Sequence, residues 1–463
     1  MDPERTKRRQ NFKVIVSEAI MVMAVAITVI ILAFLVSGYW INSDFKLERQ
    51  GLLQISSVPT GADVTIDGDS SWLQRTNTSK VLSSGEHTVT LTKDGYDSWS
   101  KTINISEGLL YRVHYPRLFP KDPVIEKALS VNDYVFSSIS PDRNKLLLVS
   151  SSWQLIDLAN KDLKALNLDI SQLDSDSLSA RIGQDATITS ADWDKSGSHV
   201  LLEINYNGST EWILLDIKDV KNSINLGKEF SGNFSNIQIL DDSSSSLLAT
   251  INGDLHKIDI PGRSISSVLV KDVIDYDHFD TSEVVFYAKD PERDSDMGYV
   301  GILKLSDAKI TKLLDVATPA KVTISRFYDD KYITILQDNL ATLYKKDDFS
   351  KVADYELSFV PNSIKVGHNG EFITMSLGGE NATLDMETES VTEWDTGADK
   401  YGWLDDDMVY AVVDGALVVY DFDGLNRRVL AQNINSDTLA TISDDKWLYY
   451  FSGNSLMRMI IND

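Results

Sequence analysis

The chain has 463 residues, 43% of them hydrophobic, which is too apolar for disorder and long enough for roughly two to four domains. It holds no cysteine, so disulfides and thiolate metal sites are excluded. The net charge of −25 is uneven: residues 1–13 carry +3, residues 44–120 carry −1 and residues 121–463 carry −26. So acidic a surface repels phosphate backbones, which excludes nucleic acid as a partner, and it attracts cations or basic partners.

Arg5, Lys7, Arg8, Arg9 and Lys13 precede an uncharged run of 21 residues, 19–39. At ~1.5 Å rise per residue, roughly 20 residues span a ~30 Å hydrocarbon core, and there only a helix satisfies its own backbone. The basic cluster favours the cytoplasmic side, and Tyr39 and Trp40 suit the far interface. The expectation is a cytoplasmic basic tail over 1–18, a single transmembrane helix over 19–41, and everything from 42 onward outside the cytoplasm. The alternative is a cleaved signal peptide, whose apolar region is usually only ~7–15 residues. Leu35-Val36-Ser37-Gly38 also matches its cleavage site poorly. An extracytoplasmic chain without cysteine fits a bacterial or archaeal envelope.

A polar tether is expected over 42–51, then a small β-sandwich over 52–118. Leu53-Gln54-Ile55-Ser56 alternates, Val58-Pro59-Thr60-Gly61 turns, and Asp63-Val64-Thr65-Ile66 is a strand ended by the turn dipeptide Asp67-Gly68. Gly85 opens the next strand, and Lys93-Asp94-Gly95-Tyr96 turns again before Trp99. These stretches resemble the PEGA domain family in Ser57-Val58-Pro59-Thr60-Gly61-Ala62, Asp67-Gly68, Gly85 and Gly95-Tyr96-Asp97-Ser98-Trp99. The chain departs from the family over Ser70-Ser71-Trp72-Leu73-Gln74-Arg75-Thr76-Asn77, so that loop is expected to be atypical. The resemblance implies an extracytoplasmic β-module of surface proteins, with a role near the cell wall and no catalytic residues. Pro116, Pro120 and Pro123 then interrupt the pattern and place a domain boundary after 118.

The next domain is expected over 119–463, and residues 124–463 carry a degenerate repeat in which two apolar strands flank a short polar turn. The turns fall at Ser140-Pro141-Asp142, Asp192-Trp193-Asp194, Asp241-Asp242, Asp277-His278-Phe279-Asp280, Asp329-Asp330, His368-Asn369-Gly370, Asp405-Asp406-Asp407 and Asp444-Asp445. Their mean spacing of about 43 residues is that of a β-propeller, with about eight blades. Seven blades is the alternative, should the weakest unit, 226–270, not stand alone. The last unit ends with no room for a fourth strand, and 124–131 is otherwise unassigned; it is expected to supply that strand and close the ring. Ile139-Ser140-Pro141-Asp142 before an apolar strand is similar to TolB-like and WD-repeat propellers. The fold class is therefore all-β behind one N-terminal transmembrane helix.

The motifs of common catalytic sites are missing. None of the six histidines pairs at His-x-x-x-His spacing, and there is no Gly-x-Ser-x-Gly elbow or phosphate-binding Gly loop. Asp63, Asp67 and Asp69 have the residue types of a calcium loop, but not its spacing. What remains is a candidate acidic interaction face formed by Asp142, Asp192, Asp194, Asp241, Asp242, Asp277, Asp280, Asp329, Asp330, Asp405, Asp406, Asp407, Asp444 and Asp445. Turn chemistry explains such residues, since Asp bonds its own backbone. A ring of carboxylates would also dock a cationic partner or hold divalent cations, the only cofactor the sequence suggests. No catalytic, cofactor-binding or metal residues are assigned. The expected function is a single-pass membrane protein, held through 19–41, that displays its propeller as a binding or scaffolding platform for a cell-envelope protein or polysaccharide. The alternatives are a propeller enzyme acting on envelope polymer and an external ligand sensor. The oligomeric state is open.

Overall fold

The computed structural model describes residues 18, 20–30, 32, 39–41, 47–170, 182, 184–206, 208–241, 244–290, 297–367, 369–398, 401–435 and 439–462. Their contacts divide the chain into two units, 1–122 and 123–463. Residues 20–30 are helical and exposed throughout. Among the described residues no helix is long and apolar enough to cross a membrane. The basic tail 1–17 and residues 19, 31 and 33–38 of the expected span lie outside the described residues.

The far end of that span differs from the expectation. Tyr39–Ile41 is a β-strand, pairing antiparallel with Leu47–Ile55, with Tyr39 opposite Arg49 and Ile41 opposite Leu47. The first residues of Leu47–Ile55 would otherwise present an open edge, and a hairpin back to 39–41 fills it. A helix thus cannot run through 41, and the expected tether is strand from Leu47 onward.

Among the described residues the first unit holds two four-stranded sheets. In one, Leu47–Ile55 has Thr78–Ser83 on one edge, while Tyr39–Ile41 and, further along, the parallel strand Leu110–Val113 pair with it as well. The other runs Asp69–Arg75, Asp63–Ile66, Gly85–Thr92, Trp99–Ile105. Leu53, Ile55, Val64, Ile66, Val89, Leu91, Trp99 and Ile105 are buried. Gly51 is needed at this contact: a Cβ there would lie 2.4 Å from Ile105 Cγ2 and 2.7 Å from the Ser106 carbonyl. The boundary after 118 moves to 122. Leu118 and Phe119 are buried, Asp97 N–H donates to the Phe119 carbonyl, and Lys121 N–H donates to the Gly95 carbonyl, so this tail packs on the sandwich.

The second unit shows eight four-stranded antiparallel sheets among the described residues, with strands in chain order within blades one to seven. They span 136–168, 186–225, 234–265, 273–317, 320–356, 363–395 and 401–432. The weakest repeat in the sequence is blade three, a separate sheet whose fourth strand is only Ser264–Ile265. The eighth sheet is Ala440–Ser443, Trp447–Ser452 and Ser455–Ile460, joined on its outer side by Val124–Ser130.

Each blade's second strand is apolar on both faces because it is sandwiched between neighbouring sheets; Val284, Val285, Phe286, Tyr287 and Ala288 are all fully buried. Apolar clusters join blades one and two, two and three, three and four, four and five, and five and six. Phe372 of blade six stacks on Phe422 of blade seven, and the Ile442 N–H of blade eight donates to the Leu404 carbonyl beside blade seven. The ring closes where Leu146, Leu148 and Ile156 of blade one pack with Tyr449, Phe451 and Leu456 of blade eight. There Tyr449 Oη donates to the Leu158 carbonyl at 3.0 Å, and Arg458 bonds both Glu126 and the Lys161 carbonyl.

Candidate functional site

In every blade the turn between the first and second strands falls at the same end of the sheet, so these turns share one face. Five of the described carboxylates there accept hydrogen bonds from their own turn. Asp142 accepts from the Asn144 N–H at 3.2 Å and from Ser140 Oγ. Asp194 accepts from the Ser198 N–H at 2.7 Å, Ser198 Oγ at 2.8 Å and His199 Nδ1 at 3.0 Å. Asp241 accepts from the Ser245 N–H, Asp280 from the Ser282 N–H and Lys331 Nζ, and Asp405 from the Asp407 and Met408 N–H groups. Asp406 pairs with Arg143, Asp330 with Lys345 and Asp444 with Lys446. Asp329, Asp330, Asp444 and Asp445 are exposed, Asp407 is half-buried, and Asp242 lies outside the described residues.

These bonds set the titration of the turns. Asp280 is held well below the ordinary carboxylate value, chiefly by the Ser282 hydroxyl and N–H and by Lys331. Asp142 and Asp194 are also lowered. In both, burial alone acts in the raising direction, and hydrogen bonds from their own turns outweigh it.

Asp192 and Asp277 do not belong to this face. They lie on first strands, Ala186–Trp193 and Val273–His278, which line the inner side of the ring. Burial raises the Asp192 carboxyl, Glu203 raises it further, and Lys365 of blade six opposes both. The Asp192 side chain is nevertheless exposed to solvent. Lys365 belongs to blade six and Asp192 to blade two, so their mutual influence acts across the axis of the ring.

Between neighbouring blades, inner-strand side chains bond the next backbone. Asp275 Oδ2 accepts from the Val322 N–H at 2.9 Å, and Asp277 Oδ2 accepts from Thr323 Oγ1 at 2.9 Å and the Ile324 N–H at 3.1 Å. Gln238 Nε2 donates to the Tyr276 carbonyl, His278 Nε2 lies 2.8 Å from the Ile239 carbonyl, and Lys321 Nζ donates to the Asn362 carbonyl. Burial is the main cause of the raised pKa values of Asp275 and Asp277. Asp275, Lys321 and Lys365 were missed as candidates. No local signal marks them: each is one charged residue in a short strand and gains its role from another blade.

Two histidines have serine and aspartate beside them, and in both the geometry is structural. At His199, Ser198 Oγ and Asp194 Oδ2 crowd the same nitrogen, Nδ1, at 3.1 and 3.0 Å, while Asp216 Oδ2 lies 3.7 Å from Nε2, too far for a hydrogen bond. A relay needs them on opposite nitrogens. At His87, Nδ1 meets Asp67 Oδ2 at 2.6 Å, but Nε2 faces the Ser83 carbonyl at 2.9 Å, closer than Ser83 Oγ at 3.4 Å. The nearer partner of that nitrogen is thus a backbone carbonyl, and the Ser83 hydroxyl is not aligned to pass it a proton.

His87 instead fastens the Asp67-Gly68 turn, where both residues have positive φ, 54° and 75°. The Ser-x-Pro-x-Gly segment is tied in the same manner. Ser57 Oγ donates to the Pro59 carbonyl and lies 2.8 Å from Thr76 Oγ1, which accepts from the Gly61 and Ala62 N–H groups. Trp99 is buried edge-on against Tyr115. A polar hollow of about 300 Å³ in the same unit has Asp63, Lys93, Asp94, Tyr96, Asp97 and Lys121 on its wall.

Residues 50–117 match the PEGA domain family. The motif residues of that PEGA segment are thus turn and core residues here. No curated protein matches the chain. Solved structures similar to it include the Dos1 propeller, at 14% identity over 73% of this chain and 94% of that one, TM-score 0.45. The propeller domain of Cps50 (Swd1) from Myceliophteria thermophila follows at 10% identity over 74% and 100%, TM-score 0.41. The dihydro-heme d1 dehydrogenase NirN is 12% identical over 75% and 72%, TM-score 0.43. The propeller assignment of 123–462 rests on its own eight sheets.

Proposed function

We propose that this chain is a single-pass membrane protein of the cell envelope, bearing its PEGA segment and propeller outside the cytoplasm, and that the propeller is a binding or scaffolding platform. The observation that carries the platform reading is where the inner-strand polar groups go. Asp275, Asp277, Gln238, His278 and Lys321 are spent on the backbone of adjacent blades, which makes the ring a stiff frame for its turns. The anchor reading is supported by the uncharged run 19–39 behind five basic residues and by the helix at 20–30 with its apolar side chains exposed. The partner is an envelope protein or polysaccharide with cationic groups, meeting the exposed Asp329, Asp330, Asp444 and Asp445. The test is purification of the full chain from detergent-solubilised membranes beside a variant with all four changed to Asn. A partner retained by the wild type, released by salt and lost from the variant is expected. Identical retention by both chains would contradict the assigned face.

A further inference from the structure

The outer face of one PEGA sheet carries a row of apolar side chains. Leu52, Val81 and Leu110 are direct cross-strand partners on three adjacent strands, so they share one face, and they are 38%, 55% and 39% exposed. Leu109 adjoins them at 62%, its carbonyl accepting from the Leu52 N–H. The residues between them on the central strand point inward, since Leu53 and Ile55 are fully buried. The next outward row is polar: Ser79, Gln54 and Arg112.

The place of this row in the sheet says what covers it. Tyr39, where its strand begins, pairs with Arg49, three residues from Leu52. Leu110 begins pairing at Leu52, so the strand that follows the N-terminal helix in sequence starts within three residues of the apolar row. The row Ser79–Gln54–Arg112 lies on the far side of it, about 7 Å further along at ~3.3 Å per residue. Apolar side chains next to the helix entry, with an arginine one row behind, suit the headgroup boundary of a bilayer, where an apolar face sinks ~5–10 Å and cations meet anionic headgroups.

We propose that the Leu52–Val81–Leu109–Leu110 row docks this sheet onto the outer leaflet of the membrane that holds residues 20–30, with anionic lipid meeting Arg112. This rests on the anchor reading above, so the test separates the two. The chain lacks cysteine, which allows single-cysteine versions of the full-length protein. Val81→Cys, Val25→Cys in the helix, and Glu86→Cys on the opposite sheet are each labelled with bimane. The proteins are reconstituted in phosphatidylcholine–phosphatidylglycerol vesicles and exposed to doxyl-lipid or to aqueous iodide. The expected result is severalfold stronger lipid quenching at positions 25 and 81 than at 86, with iodide preferring 86. Lipid quenching at 25, but with 81 behaving like 86, would overturn the docking and leave the anchor standing. A helix label that lipid does not quench would overturn both.

Discussion

The sandwich and the propeller hide their apolar strands differently, and the difference shows in what each leaves exposed. In the propeller the exposed apolar residues of outer strands are scattered: Leu166 on blade one, Ile310 on blade four, Val429 on blade seven, and Val124 with its neighbour Ile125 on blade eight. Such singles are ordinary surface. In the sandwich the exposed apolar residues fall in register across three adjacent strands. A closed ring covers each sheet face with the next sheet and consumes its own edges. A two-sheet sandwich has two outer faces left over, and this one has been left apolar near the helix entry.

The comparison breaks most severely if the ring is opened. Removing 124–130 strips the fourth strand from blade eight and takes Glu126 from Arg458, which is itself almost fully buried. The expected loss exceeds about 4 kcal/mol or ends in aggregation, read from denaturant unfolding of the full chain. An unchanged midpoint would show that the ring does not depend on closure. Next in size is Gly370→Ala between blades five and six. Gly370 has φ +75°, and a Cβ there would lie 2.0 Å from the Arg326 carbonyl, so a cost of about 2–3 kcal/mol is expected in the same assay.

A smaller effect separates charge from hydrogen bonding at the inner strands. Asp277→Ala leaves the Ile324 N–H and Thr323 hydroxyl without their acceptor and should cost about 1–3 kcal/mol. Asp277→Asn keeps an acceptor and removes a buried charge, so it should be near neutral at pH 7. Its raised pKa gives the sign: the wild-type contribution is fully present below the unfolded value and falls as pH rises through the folded one. The gap between Asn variant and wild type should therefore move in favour of Asn on going from acid to neutral pH. Asp280 has the opposite sign. Its folded pKa is lowered, so its contribution is present above the unfolded value of 3.8 and is lost as pH falls through the folded one. Asp280→Asn should lower Tm at neutral pH, and the difference should shrink in strong acid. Smallest of all, Asp444→Asn with Asp445→Asn at an exposed turn should change stability by no more than about 0.5 kcal/mol.

Much of the architecture was legible because it follows from periodicity. Eight polar turns between apolar strands announced the repeat, and a final unit too short for four strands matched a leftover segment in front of the first. The PEGA turns were legible through Gly61, Asp67 and Gly68, whose backbone angles few residues tolerate. The acidic face was legible only in part. Asp192 and Asp277 sit beside turn motifs in sequence but belong to strands, and the shift of one or two residues that decides this depends on pairing across the sheet. Asp275, Lys321 and Lys365 gain their meaning from a neighbouring or facing blade 40 or more residues away, which no local pattern records. The strand at Tyr39–Ile41 was hidden because its residues also suit a membrane interface, and only the partner Leu47–Ile55 decides between the two.

The central claim is that the sandwich and propeller face away from the cytoplasm. In a chain without cysteine, Ser209→Cys at the exposed start of the third strand of blade two gives one reactive thiol, to be treated with a membrane-impermeant maleimide in intact cells and after lysis. Equal labelling in both conditions is predicted. Labelling that appears only after lysis would place the propeller in the cytoplasm and contradict the account.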